Sequence, residues 1–179
     1  MDERKDFMFS RKDLQRLIIP LIVEQFLSIT IGMADTVMVS VCGEAAVSGV
    51  SLVDAINILM INIFSALATG GAIVSSQYIG REDLGKACEA AKQLVLAVFV
   101  LSTAIGAIFV FGGPQVLGLL YHDIEADVMA SAESYFFLTA LSYPFIALYN
   151  AGAALFRAMG NSKVSMTISI VMNCINIGG

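Results

Sequence analysis

The stretch LIIPLIVEQFLSITIGMADTVMVSV, residues 17–41, decides the fold class of this chain. Its 25 residues include only two charged side chains, Glu24 and Asp35. A helix of about 20 apolar residues crosses the ~30 Å hydrocarbon core of a bilayer. The stretch is too long for the apolar part of a signal peptide and has no cleavage-type end. It therefore predicts a retained transmembrane helix.

Four further apolar runs repeat this pattern. Three of them are long enough to span a bilayer, namely Leu52–Ile79, Leu94–Phe111 and Tyr135–Phe156. A fifth run begins at Val164 and reaches Gly179, so the chain is expected to stop inside its fifth helix. Pro114 is expected to end the third helix and to leave a short separate helix over residues 115–121. The fold class predicted for residues 17–179 is an all-α, polytopic membrane bundle of about five transmembrane helices.

The ten lysines and arginines occupy alternate connections between the apolar runs. They precede the first run, follow the second and separate the fourth from the fifth. The connections after the first and third runs hold acidic residues and no basic ones. Cytoplasmic loops keep Lys and Arg because positive charge is not moved across the membrane during insertion. Residues 1–16 are therefore predicted to be cytoplasmic, in a multi-pass protein of the inner or plasma membrane.

Composition excludes several classes of function. Hydrophobic residues make up 58% of the chain, charged residues 14%, and the mean hydropathy of +0.82 is too high for a soluble domain. A net charge of -5 argues against a nucleic-acid partner. The chain has no phosphate-binding glycine loop, HExxH pair or paired cysteines, so we expect no enzyme, no cofactor and no metal centre. Its three cysteines are predicted to be free, buried thiols.

The two carboxylates of the first run require a structural or functional explanation, because inserting a charged side chain at mid-membrane costs at least ~2.5–3.5 kcal/mol. Eleven positions separate Glu24 from Asp35, so both lie on nearly the same helix face. Asp35, in the outer half, is predicted to handle a cation or proton, the alternative being a structural hydrogen-bond acceptor. For Glu24 and its neighbour Gln25, nearer the inner interface, the structural interpretation is preferred. Pro20 should kink this helix, for mobility or for shape alone.

Polar side chains also recur in the second, fourth and fifth runs. Asp54 and Asn57 lie on one helix face, where they either line a wet cavity or, for Asp54, cap the start of the helix. Asn150 in the fourth run and Asn173 and Asn176 in the fifth add amide groups to the same bundle. Amides between membrane helices serve packing or contact a ligand, and the sequence leaves both interpretations open.

Three segments of this chain resemble the MATE (multidrug and toxic compound extrusion) family. MADTVMV, residues 33–39, is similar to the end of that family's first helix. SQYIGRED, residues 76–83, is similar to its second-helix exit and inner loop, and the segment from Tyr135 to FRAMGNSK, residues 156–163, to its fourth helix and inner turn. The resemblance extends over essentially the whole chain.

The resemblance implies an architecture and an activity. Members have twelve transmembrane helices in two six-helix lobes and exchange drug-like, often cationic compounds for Na⁺ or H⁺. This chain would then be the N-terminal lobe without its sixth helix and part of its fifth. The implied partners are the lipid bilayer, small organic cations and a C-terminal lobe of the same protein.

The resemblance also implies site residues. Asp35 matches a first-helix aspartate that forms an N-lobe cation site with polar residues of the fourth and fifth helices, here Asn150 and Asn176. A Na⁺ or proton site at Asp35 is the resulting expectation, and Pro20 matches a proline linked to bending of the first helix. Residues expected to line a substrate cavity are Glu24, Gln25, Asp54, Asn57, Asn173 and Tyr135.

Two other functions remain as alternatives. A lipid-linked precursor flippase of the wider superfamily would need a cationic cavity for phosphate groups. No Arg or Lys lies within the predicted spans, and this counts against the flippase. The second alternative is a helical membrane subunit that assembles with a partner and has no transport cycle of its own.

Overall fold

The computed structural model of the chain describes residues 11–122 and 124–178, without the side chains at positions 11, 13 and 176–178. All regular structure in these ranges is helical. The helices are α1 Arg11–Ser40, α2 Glu44–Gly80, α3 Leu84–Leu120, α4 Ala126–Ala158 and α5 Ser162–Gly178. Helices α1 to α4 are long and apolar enough to cross a membrane, and α5 is a shorter apolar helix. The predicted all-α membrane bundle is confirmed.

Two details differ from the sequence-based expectations. The location of segment 1–16 stays a prediction: its residues from Arg11 onward belong to α1, and residues 1–10 lie outside the described ranges. Pro114 does not end α3, which continues to Leu120. A proline removes one hydrogen bond of the helical ladder, and neighbouring groups in a membrane bundle accommodate that loss. The three cysteines are free, as predicted, but they are exposed and not buried.

Helices α2, α3 and α4 form the core of the bundle. Small residues on α4 are fully or almost fully buried at helical spacing, namely Ala132, Ala140, Ala147, Ala151 and Ala154. Small side chains let helix backbones approach closely in lipid. Helix backbones approach closely at Gly106 of α3, where an added Cβ would lie 2.9 Å from the Ala140 carbonyl oxygen, and at Gly49 of α2, where it would lie 2.8 Å from the Ala132 backbone nitrogen. Phe64 and Tyr143 fill the centre, with ring centroids 5.7 Å apart.

Helix α1 packs mainly against α5 and touches α2 only slightly. A tight turn places α5 next to α4: Gly160 has a φ of +75°, which glycine adopts readily, and the Asn161 amide donates to the Phe156 carbonyl at 2.9 Å. Pro20 is buried in the N-terminal half of α1, whereas the C-terminal half of α1 is largely exposed. The α1–α5 pair therefore stands beside the α2–α3–α4 core, with a space between them.

Candidate functional site

Small-molecule sites in proteins are typically cavities of about 300–1,000 Å³. The space between α1, α2, α4 and α5 falls in this range, at ≈ 490 Å³. Its wall is mixed, with isoleucine, leucine and methionine side chains between polar ones. The polar residues of α1 and α2 on this wall are Glu24, Gln25, Ser28 and Ser65. Helices α4 and α5 contribute Tyr149, Asn150, Arg157, Ser169 and Asn173.

Glu24 is the point where three helices meet through polar contacts. The Ser165 hydroxyl of α5 donates to Oε2 of Glu24 at 2.8 Å, and the Tyr149 hydroxyl of α4 donates to Oε1 at 3.2 Å. A guanidinium nitrogen of Arg157, also on α4, lies 3.6 Å from Oε1. The charge of Glu24 is therefore compensated inside the bundle, and this lowers the free-energy cost of a carboxylate in a membrane helix.

The polar network continues along α5 toward its C-terminal end. The hydroxyls of Tyr149 and Ser169 lie 2.7 Å apart, and the Asn173 side-chain amide donates to the Ser169 carbonyl at 2.8 Å. The carbonyl oxygen of the Asn173 side chain, Oδ1, is buried and has no hydrogen-bond partner among the described residues. A buried amide oxygen without a donor is uncommon, and on a cavity wall it calls for a water molecule or a ligand.

Asp35 is placed differently from Glu24. Its side chain is exposed and makes no hydrogen bond or ion pair with the part of the chain that the structure describes. Asn150 lines the cavity and donates to the Ile146 carbonyl of its own helix at 3.1 Å. Asn176 belongs to α5, and its side chain lies outside the described residues.

The remaining sequence candidates lie between α2 and α4, away from the described wall of the cavity. The Tyr135 hydroxyl donates to Asp54 at 3.3 Å, and the Tyr143 hydroxyl donates to the buried Asn57 at 2.8 Å. The interpretation of Asp54 as a helix cap is wrong, because α2 begins ten positions earlier, at Glu44. Glu24, Gln25, Asn150 and Asn173 are brought together at the cavity, whereas Asp54, Asn57 and Tyr135 are not.

Sequence reasoning missed several residues of the site. Arg157 lines the cavity, although it lies one position beyond the predicted fourth span, which ends at Phe156. Its position at the C-terminal end of α4 let it be counted as part of a loop. The serines of α5 were missed as well, although a signal was present: Ser162, Ser165, Ser169 and Asn173 follow helical spacing and are all buried.

The chain is similar to known transporters. The family model described as MatE matches residues 20–179. The "Uncharacterized transporter YisQ" of Bacillus subtilis (strain 168) is 30% identical over 161 residues, which cover 89% of this chain and 35% of that protein. The "Probable multidrug resistance protein NorM" of Thermotoga maritima is 24% identical over 170 residues, 93% of this chain and 36% of the relative.

A solved structure shares the fold. It belongs to a MOP superfamily transporter from Pyrococcus furiosus Vc1 (DSM3638), for which a reverse polarity of the binding pocket suggests a different function. The TM-score is 0.82 at 19% sequence identity, over 92% of this chain and 37% of the other. The chain thus spans little more than a third of the length of the transporters that it matches.

Proposed function

Because this chain belongs to the MatE family, we propose that it forms part of a secondary active antiporter that exports drug-like or organic cationic compounds in exchange for Na⁺ or H⁺. The resemblance seen in the sequence is confirmed by the family match, and the membrane bundle by the helices. The proposal places the N-terminus in the cytoplasm, in agreement with the basic residues of alternate connections. A second lobe of the same protein would complete the transport pathway.

The observation that carries the proposal is that the Asp35 carboxylate, in an apolar helix, has no compensating group among the described residues. A carboxylate in the outer half of a membrane helix is costly unless it meets a cation, a proton or a hydrogen-bond donor. Asp35 meets none of these among the described residues, in contrast to Glu24 in the same helix. It is therefore available to a coupling ion or to the positive charge of a substrate.

The register of α1 and α5 supports a shared site at the level of Asp35. The Ser165 hydroxyl bonds to Glu24, which sets these two positions side by side. Asp35 lies eleven positions beyond Glu24, and Asn176 eleven positions beyond Ser165. Eleven residues are three turns and about 16 Å of helix, so parallel helices bring positions 35 and 176 to one level and onto nearly the same faces.

The mechanism that we propose is alternating access controlled by Asp35. In its ionised form Asp35 holds a cation or attracts a cationic substrate. Protonation or ion loading lowers the cost of closing the cavity over this side chain. The exposed outer half of α1 can repack without breaking a buried core, and Pro20 supplies a weak point in the helix ladder. No enzymatic step is involved.

The alternatives are less well supported. A flippase for lipid-linked phosphates would need a wall with net positive charge, but Arg157 is compensated by Glu24. A helical subunit without a transport cycle would not be expected to match transporters over about nine-tenths of its length.

The test is ethidium efflux from vesicles that contain the intact protein, with either a proton or a sodium gradient imposed. We expect Asp35→Asn to abolish gradient-driven efflux while membrane insertion is preserved. Glu133→Gln is the matched control, since this carboxylate is on α4 in a groove shared with α3. Efflux at the wild-type rate in Asp35→Asn would contradict the proposal, and the gradient that drives the wild type identifies the coupling ion.

A further inference from the structure

The inner end of the cavity holds one acidic and one basic side chain, and the two are not tightly paired. The separation of 3.6 Å between Arg157 and Glu24 exceeds the ~2.7–2.9 Å of a charge-assisted hydrogen bond. The contact is from Nη1 of Arg157 to Oε1 of Glu24, the oxygen that also accepts from the Tyr149 hydroxyl. The side chains are 30% and 18% exposed, respectively. Arg157 therefore compensates the charge of Glu24 without locking it.

Arg157 borders a second cavity that its side chain could occupy. It lines the main cavity and also a smaller one of ≈ 180 Å³ between the inner ends of α2 and α4. The wall of this inner cavity carries the hydroxyls of Thr69 and Ser76. A guanidinium turned into it would keep polar neighbours and stay near the cytoplasmic interface, which long basic side chains reach by extending along the helix.

When Arg157 moves away from Glu24, the cavity offers a free carboxylate next to an apolar wall. The cavity of ≈ 490 Å³ has isoleucine side chains from α1, α2 and α4 on its wall. No other acidic side chain is on the described wall. The orphaned Oδ1 of Asn173, 6% exposed as a residue, offers a hydrogen-bond acceptor to a ligand. A cation with an apolar body and an N–H donor would satisfy all three features.

We propose that Glu24 is a recognition site for organic cations in the inner half of this lobe, and that Arg157 is its tethered competitor. An incoming cation replaces the guanidinium at the carboxylate, and Arg157 moves into the inner cavity. The site differs from the one proposed at Asp35 and lies three helical turns below it. The inference takes only the chemical class of its ligand, an organic cation, from the proposed function.

This competition predicts an unusual effect of removing a positive charge. Arg157→Gln should bind organic cations about tenfold more tightly, which corresponds to ~1.4 kcal/mol, because the ligand no longer displaces an internal cation. Glu24→Gln should weaken the same binding by about tenfold or more. If Arg157 merely supported the structure, its loss would leave affinity unchanged or reduce it.

The experiment is equilibrium binding of ethidium to the intact protein in lipid nanodiscs, followed by fluorescence. Lys92→Gln is the control for Arg157→Gln, since it also removes a basic residue from the inner part of the bundle but faces a groove between α3 and α4. We expect this control to bind as the wild type does. Because misfolding does not produce tighter binding, a gain of affinity in Arg157→Gln stands even if Glu24→Gln is poorly folded.

A second probe tests the role of Asn173. Ethidium carries N–H donors, whereas tetraphenylphosphonium is a cation without any. Asn173→Leu should weaken binding of ethidium several-fold and leave binding of tetraphenylphosphonium nearly unchanged, since only ethidium can donate to Oδ1. Equal losses for both probes would overturn the assignment of Asn173.

The outcomes separate the two proposals. Unchanged or weaker binding in Arg157→Gln overturns the competitor model, even if efflux still depends on Asp35. Tighter binding in Arg157→Gln combined with gradient-independent efflux would retain the Glu24 site and overturn the antiporter.

Discussion

The Ser165 hydroxyl lies 2.8 Å from Oε2 of Glu24 and joins the fifth helix to the first across 141 positions of the chain. Ser165 is fully buried. The contact fixes the register of α1 against α5 at the level where Tyr149 and Arg157 of α4 also reach the carboxylate. One carboxylate thus connects three of the four helices that line the cavity, namely α1, α4 and α5.

Ser165→Ala should destabilise the protein by about 1.5–3 kcal/mol, the usual range for a hydrogen bond to a charged group. The substitution leaves one oxygen of Glu24 without its donor. Ser142→Ala is the matched control, because this exposed hydroxyl bonds to the Leu138 carbonyl of its own helix, and we expect a change within about 0.5 kcal/mol. Denaturant unfolding in mixed micelles measures both. Equal effects of the two substitutions would show that Ser165 does not stabilise the α1–α5 contact.

Gly106→Ala should destabilise the core by about 1–3 kcal/mol, as overpacking typically does. The new Cβ would lie 2.9 Å from the Ala140 carbonyl oxygen, a backbone atom that cannot move without shifting α4. Gly118→Ala on the same helix is the control, since no neighbouring atom of the described residues lies within 4 Å of its Cβ position. There alanine should be neutral or slightly stabilising, because it is the better helix former. Thermal unfolding compares the stability of both variants with that of the wild type. Wild-type stability of Gly106→Ala would mean that α3 and α4 pack less closely at this point than the structure shows.

Tyr143→Phe should cost about 1–3 kcal/mol, because it leaves the buried Oδ1 of Asn57 without its 2.8 Å donor. Tyr135→Phe should cost less, since its contact with Asp54 is longer, at 3.3 Å, and only partly buried. Chemical unfolding of the two variants under one condition compares them. The reverse order would indicate that the charge of Asp54 outweighs burial at this interface.

Acidification should loosen the turn between α2 and α3. Asp83 caps α3, and its hydrogen bonds and ion pair with Lys86, of which the side-chain bond contributes most, lower the pKa of this carboxyl below 3.8. A lowered folded-state pKa adds stability that is present above 3.8 and is lost as the pH falls through the folded value. Hydrogen-exchange protection of the Lys86 amide, corrected for intrinsic rates, should therefore decrease below pH 4 in the wild type. Asp83→Asn should reduce this decrease, and an identical pH profile in both proteins would contradict the assignment.

Much of the fold follows from local features of the sequence. Apolar length predicted the membrane spans, and the four long apolar helices of the described residues confirm them. Pro114 misled the prediction because its effect depends on what surrounds the helix: a bundle tolerates a proline that an isolated helix would not.

The candidate site was predictable only in part. The sequence singled out Glu24, Gln25, Asn150 and Asn173 as polar groups in apolar surroundings, and all four line one cavity. It did not single out Arg157, because length and hydropathy assigned this residue to a loop.

The sequence by itself determined the all-helical membrane class, the approximate spans and the presence of intramembrane carboxylates, because each depends on residues close together in the chain. Only the tertiary structure decided which carboxylate is compensated. The donors to Glu24 are 125 and 141 positions away, and no local pattern links them to it. Asp35, in the same helix, has no such donors among the described residues. The free energy of a charge in the bundle depends on the donors that the fold places around it. This is why Glu24 and Asp35, two acids of one helix, differ in how their charges are compensated.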